Sequence, residues 1–368
     1  MWEFHEVLNS TFEVLKHIPL DSEAIRKCQN GTIRGPTAVK FLRNLDYYQG
    51  VLLICATLLT MTVTGYAFVQ CLMVQANVSK SKRRSKLYFL ISLFPVSMSF
   101  CLVGMISPRA AALSTSCGLF YFLVVFYIYI TLVMNLVRRN PNDSQLCGVK
   151  ARLNERGKRI NMRVPPICCL IPCMPEPKVT TQRIQIIKLL VLQGPLIRSF
   201  VFFFEVCLTI ELGREANIII QYCEMVALLS TFSVVFGSHT FTRLVVHEIQ
   251  SYQVVTIIRA ISLALFSFSA QYPLLFQNVF LRLNLIRCGP VLSIPESARF
   301  ICNFMVICQL FVLNLYFNSA LKPEKNDIFD LAEASDAVPS EEDLSNYKQS
   351  LLLSLLTPIR KKKNLRFV

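Results

Sequence analysis

Residues 186–210 read IIKLLVLQGPLIRSFVFFFEVCLTI, and residues 163–177 just before them read RVPPICCLIPCMPEP. The first stretch is long and apolar enough to cross a bilayer, which takes about 20 residues. It carries Gln193, a Gly194-Pro195 step, Arg198 and Glu205 inside the apolar run. The second stretch packs three cysteines among five prolines. A soluble protein has little reason to place these two features back to back. Together they read as a cytosolic loop that meets a membrane, followed by a polar helix lining a path through it.

Working outward, six further apolar blocks occupy about 50–74, 87–106, 111–137, 217–237, 252–276 and 300–320. The sixth and seventh spans are the least sharp, being interrupted by Arg259 and by Asn303, Gln309 and Asn314. The 368 residues are 53% hydrophobic and only 17% charged, with mean hydropathy +0.47. That balance excludes an ordinary soluble domain. The fold class expected is an all-α membrane protein with seven transmembrane helices. Residues 1–49 form an N-terminal segment, 50–320 the membrane domain and 321–368 a tail.

The loops set the orientation. Residues 75–86 carry five Lys or Arg and no acid, and residues 138–188 carry eleven against three acids. The alternate loops are poor in basic residues. Because cytosolic loops keep the excess of Lys and Arg, the N-terminus is expected outside and the C-terminus cytosolic. The two basic loops contribute +13 of the net +15. The charge is therefore a topology signal beside anionic inner-leaflet lipids, not a nucleic-acid surface. In the outer segment, Asn9 and Asn30 begin glycosylation sequons. Cys28 and Cys288, both outside on this topology, are candidates for a disulfide. In the tail, residues 324–343 hold eight acids and one lysine and read as disordered. Residues 344–359 place Leu344, Tyr347, Leu351, Leu352, Leu355 and Ile359 on one helical face ahead of four basic residues. That pattern suits a helix lying on the inner leaflet.

Cys168, Cys169 and Cys173 lie shortly before the fourth span amid basic residues. Juxtamembrane cysteines of this kind are acceptors for reversible palmitoylation. The surrounding prolines keep the segment from forming a helix of its own. A zinc site is a weaker reading, since three cysteines have no nearby histidine and only Cys147 could complete a set of four. No cofactor motif and no metal-ligand pattern is read elsewhere.

This Pro-flanked cysteine run, the basic linker with threonines, and Lys188-Leu-Leu-Val-Leu-Gln193 with a basic residue shortly after resemble the alpha subunit of the organic solute transporters. The resemblance covers about residues 45–320; Leu170-Ile171 interrupts a cysteine run that members often carry unbroken. It implies a facilitative carrier of bile acids, steroid conjugates or related amphipathic organic anions, working without ATP at the plasma membrane. It also implies a complex with a single-span beta subunit. A homo-oligomer stays open.

Four ionisable residues fall inside the spans: Arg198, Glu205, Glu224 and Arg259. Such groups are costly in hydrocarbon and normally face a partner or a polar cavity. Arg198 and Glu205, seven residues apart, share one helix face. Arg198 lies too deep for easy snorkelling, so Glu205 or a bound anion is its expected partner, whereas Arg259 is placed to reach headgroups. Glu224 is expected at the depth of Glu205 on the next, antiparallel span. Two close carboxylates in low dielectric do not both hold charge easily, so the pair is expected to keep a proton. The Gly194-Pro195 step is expected to break the helix and free backbone carbonyls toward a cavity. Gln193, Arg198, Glu205 and Glu224 thus form the candidate substrate path.

Two rival classes fit the topology. A seven-span receptor is disfavoured because Asn135-Leu-Val-Arg-Arg139 lacks an acidic-Arg-aromatic triplet and Asn314-Leu-Tyr-Phe lacks the proline of an asparagine-proline motif. A non-transporting membrane adaptor or trafficking protein remains the alternative. An enzyme is not expected: the spans hold no aspartate, and His239 and His247 read as interfacial histidines.

Overall fold

The computed structural model describes residues 36–137, 149, 153, 160, 178–211, 217–283, 285–286, 291–322 and 326–329. Among these residues the chain is helical, with no strand. Helix α1 covers Ala38–Arg43, α2 Tyr47–Asn77, α3 Ser81–Ile91, α4 Leu93–Ile106 and α5 Ala111–Val137. They are followed by α6 (Thr181–Glu211), α7 (Asn217–Val245), α8 (Val254–Gln271) and α9 (Ile294–Ala320). Seven of the helical stretches are long and apolar enough to cross a membrane, α3 and α4 counting as one.

Apolar side chains cover these helices on all sides, so burial is decided by size and shape. In α2 the inward residues are Ala56, Thr60, Val63, Ala67, Gln70 and Val74, a 3–4 spacing of mostly small groups. Ile54, Leu58, Met61 and Phe68 face outward. Small seams let helices approach closely where hydrophobic exclusion from water is unavailable as a driving force. Thr60 donates its hydroxyl to the Ala56 carbonyl at 2.8 Å, so no polar group is wasted on the seam.

Prolines set the irregularities. Pro95 cannot donate to Ile91, and its ring crowds that carbonyl; Ile91 is the residue at which α3 ends. Pro273 likewise removes a bond to Ser269, and from Tyr272 to Phe280 the chain winds as a π-helix, with Leu281 N donating to Phe276 O at 2.9 Å. The start of α9 is fixed by a capping box, Ser293 N donating to Glu296 Oε2 at 2.9 Å, with a proline in the first turn.

Helix α5 is the central post. Its Phe122, Phe126, Tyr129 and Val133 are fully buried, and it packs against α3, α4, α6, α7 and α8. Helix α9 packs on α2, α4 and α8, while α6 and α7 form a close pair resting on α5. That pair is brought together by glycines. A Cβ at Gly194 would meet Val234 Cγ2 at 2.3 Å, and one at Gly237 would meet Val191 Cγ2 at 3.1 Å. The expected break at Gly194-Pro195 is therefore corrected. Helix α6 runs continuously from Thr181 to Glu211 with Pro195 inside it, and Gly194 serves close packing.

Candidate functional site

Helix α6 carries Arg198 and Glu205 two turns apart, and α7 brings Glu224 alongside. Arg198 stands about 20 Å from the Glu211 end of α6, at 1.5 Å per residue, well inside the membrane-spanning length. Its side chain is only 4% exposed. The guanidinium grips Glu224 with both terminal nitrogens, Nη1 to Oε2 at 2.8 Å and Nη2 to Oε1 at 3.1 Å. Two parallel charge-assisted bonds are the strongest geometry available to an Arg–carboxylate pair.

A serine from α5 completes the cluster. Nη2 of Arg198 also donates to Ser116 Oγ at 2.8 Å, and Ser116 Oγ donates to Glu205 Oε2 at 3.1 Å. The Ser116 hydroxyl thus accepts one bond and donates another, bridging the guanidinium to the second carboxyl. The carboxyl groups of Glu205 and Glu224 lie against each other. Three helices thus meet in one polar cluster of one guanidinium, two carboxyls and a hydroxyl. The expected Arg198–Glu205 pair is corrected here: the carboxylate that Arg198 grips is Glu224, and Glu205 is tied to Arg198 through Ser116.

The cluster is not sealed. While Arg198 is buried, 45% of the Glu224 side chain faces away from the protein. Along the Glu211 end of α6, Phe203, Phe204, Cys207, Leu208 and Glu211 line an open, almost wholly apolar recess of about 370 Å³. Gln193 stands apart, about 140° around α6 from Arg198, and half-buried. Arg259 is exposed on α8. His239 is half-buried, its Nε2 2.9 Å from Ser262 Oγ.

A family model described as organic solute transporter Ostalpha matches residues 52–326. The chain belongs to this family. Among its curated relatives, organic solute transporter alpha-like protein 3 of Caenorhabditis elegans is 34% identical over 319 residues, 86% of this chain and 90% of the relative. The alpha-like protein 2 of the same organism is 24% identical over 315 residues, 85% and 90% of the two chains. The organic solute transporter subunit alpha of Danio rerio is 24% identical over 174 residues, 47% of this chain and 50% of its own. No solved structure matches. The Ostalpha match covers every helix that contributes to the Arg198 cluster, and the protein is a multi-pass membrane protein of a transporter family.

Several expected sites of this Ostalpha family member fall outside the described residues. They are Cys168, Cys169 and Cys173 of the loop, Asn9 and Asn30 of the sequons, the Cys28 and Cys288 pair, and the amphipathic stretch 344–359. Ser116 is the residue that sequence reading missed. A serine within an apolar helix carries no charge to draw notice and commonly bonds to its own backbone, as Ser199 does with Pro195 O at 2.8 Å.

Proposed function

We propose that the protein is the alpha subunit of a heteromeric transporter that lets amphipathic organic anions, such as steroid conjugates or bile-acid-like molecules, cross the plasma membrane without ATP. Family membership supports transport, and one observation carries the choice of anion: a guanidinium buried at membrane depth whose counter-carboxylate stands nearly half open to the outside. Both terminal nitrogens of Arg198 are occupied. A solute anion therefore reaches Arg198 by exchange, its carboxylate or sulfate replacing Glu224 while Glu224 turns outward. The exchange preserves the ion pair, which matters because stripping one partner from a buried pair costs about 3–5 kcal/mol. The aromatic recess beside Glu211 offers an apolar skeleton a surface on the same helix.

This reading places the N-terminus outside and the C-terminus in the cytosol, the cysteine loop acylated at the inner leaflet, and a single-span beta subunit beside the bundle. A second reading follows from the hydrogen bonds that Arg198 already makes. With every terminal nitrogen paired, the Arg198 cluster is a structural tie among α5, α6 and α7 in a non-transporting membrane adaptor. Flux separates the two. Purified full-length chain in vesicles, with and without a single-span partner, is expected to pass an anionic steroid sulfate faster than protein-free vesicles. Background flux under both conditions contradicts the transporter reading and supports the adaptor.

A further inference from the structure

At the opposite end of the bundle, where α2 and α9 both finish, Gln70 and Asn318 meet across the helix interface. Gln70 Nε2 donates to Asn318 Oδ1 at 2.8 Å, and both residues are buried, at 8% and 5% exposure. The Nδ2 of Asn318 has no hydrogen-bond partner. A buried amide donor left unmatched costs about 1–3 kcal/mol, so its persistence in a tight interface calls for an occupant. Asn318 borders a cleft of about 50 Å³ also lined by Tyr66, Met73, Lys322 and Phe329. That volume admits an oxygen-sized group or a few waters.

We infer that this cleft is a binding site for the phosphate of an anionic phospholipid headgroup. Three features select that ligand. The unmatched amide donor and the exposed Lys322 ammonium offer hydrogen bonds and positive charge, and no acidic side chain is among those described as lining the cleft to hold a choline or ethanolamine cation. Beside the cleft, Tyr66 and Met73 stand 47% and 42% exposed on the outward face of α2, which gives acyl chains a surface that a free phosphate does not need. At the carbonyl end of α9, which on its own repels anions, one carbonyl is capped by a side chain. Asn326 Nδ2 donates to Ala320 O at 2.8 Å. The same Asn326 reaches Tyr252 O at 3.3 Å, and the short segment it opens buries Ile328 and Phe329, at 0% and 4% exposure, so that Phe329 forms a wall of the cleft. On the proposed orientation the lipid belongs to the inner leaflet. The site stands independently of transport, and its test does not measure flux.

The test is thermal unfolding of the purified full chain in detergent, titrated with short-chain phosphatidic acid, short-chain phosphatidylcholine or inorganic phosphate. Phosphatidic acid is expected to raise the midpoint, with phosphatidylcholine and inorganic phosphate ineffective at the same concentration. Asn318→Asp keeps the acceptor for Gln70 but replaces the free donor with a repelling oxygen. Lys322→Gln removes an exposed charge without touching the interface. Each is expected to weaken the phosphatidic acid effect about tenfold, the value of one charge-assisted hydrogen bond. Should Asn318→Asp fail to fold, Lys322→Gln alone decides. An unaltered lipid response in the folded variants, an equal response to phosphatidylcholine, or a response to inorganic phosphate alone overturns the assignment.

Discussion

Arg198 draws its partners from two neighbouring helices, and each partner has a separable role. Ser116→Ala removes one bond to the guanidinium and the link to Glu205. Bonds to charged groups are worth about 1.5–3 kcal/mol, so the unfolding midpoint in detergent should drop by several degrees while the Glu224 pair keeps the bundle folded; an unchanged midpoint contradicts the bridge. Glu224→Gln acts differently. If a solute anion displaces Glu224, weakening that competitor should lower the KM for an anionic steroid conjugate, by roughly tenfold for each 1.4 kcal/mol of competition removed. A tie with no substrate role gives loss of folded protein and no gain in apparent affinity. Arg198, Glu205 and Glu224 are legible in the sequence because an ionisable group in an apolar run stands out. Which carboxylate Arg198 grips is not legible. A seven-residue spacing puts Glu205 on the same face, but what presents Glu224 to Arg198 is the packing of α7 on α6, as in the close approach of Gly194 and Val234, residues 40 positions apart in the chain.

Among the elements, the spans are legible as apolar blocks and their ends are not. Helix α9 begins at Ile294, six residues before the block expected at 300, because Ser293 and Glu296 build a capping box that hydropathy alone ignores. Helix α3 begins at Ser81, taking Lys82, Arg83, Arg84 and Lys86 into the helix, and Lys86 Nζ donates to Thr131 O at 2.8 Å on α5. The Gly194-Pro195 step misleads in the other direction, since proline and glycine signal a break unless neighbouring helices support them. The close α6–α7 pair has a direct test. Gly194→Val places a Cβ 2.3 Å from Val234 Cγ2 and should destabilise by about 1–3 kcal/mol through overpacking. Val234→Ala in the same chain should recover part of that loss, a coupling that a double-mutant cycle measures. Additive losses contradict the contact. For α9, Ser293→Ala should cost about 1 kcal/mol of stability in the same unfolding assay, and no change contradicts the cap.

For the whole molecule, the seven apolar spans among the described residues, α5 being the central one, follow from apolar blocks long enough to cross a bilayer as helices, which close their backbone hydrogen bonds within each segment. The distribution of Lys and Arg is the basis of the proposed orientation, and the two proposed modifications test it independently. Asn9→Gln and Asn30→Gln together should abolish a glycosidase-sensitive mobility shift, and the triple Cys168→Ser, Cys169→Ser, Cys173→Ser variant should lose palmitate exchange. An N-terminus in the cytosol predicts no shift at all, and labelling unchanged in the triple variant removes the acylated loop. The central claim remains that a buried guanidinium among α5, α6 and α7 receives the solute's negative charge. Its most direct measurement is uptake of a labelled anionic steroid sulfate by cells expressing wild type or Arg198→Ala, divided by the amount of protein at the cell surface. The account predicts that uptake per surface molecule falls at least tenfold while surface density persists; uptake and surface density lost in equal proportion would contradict it.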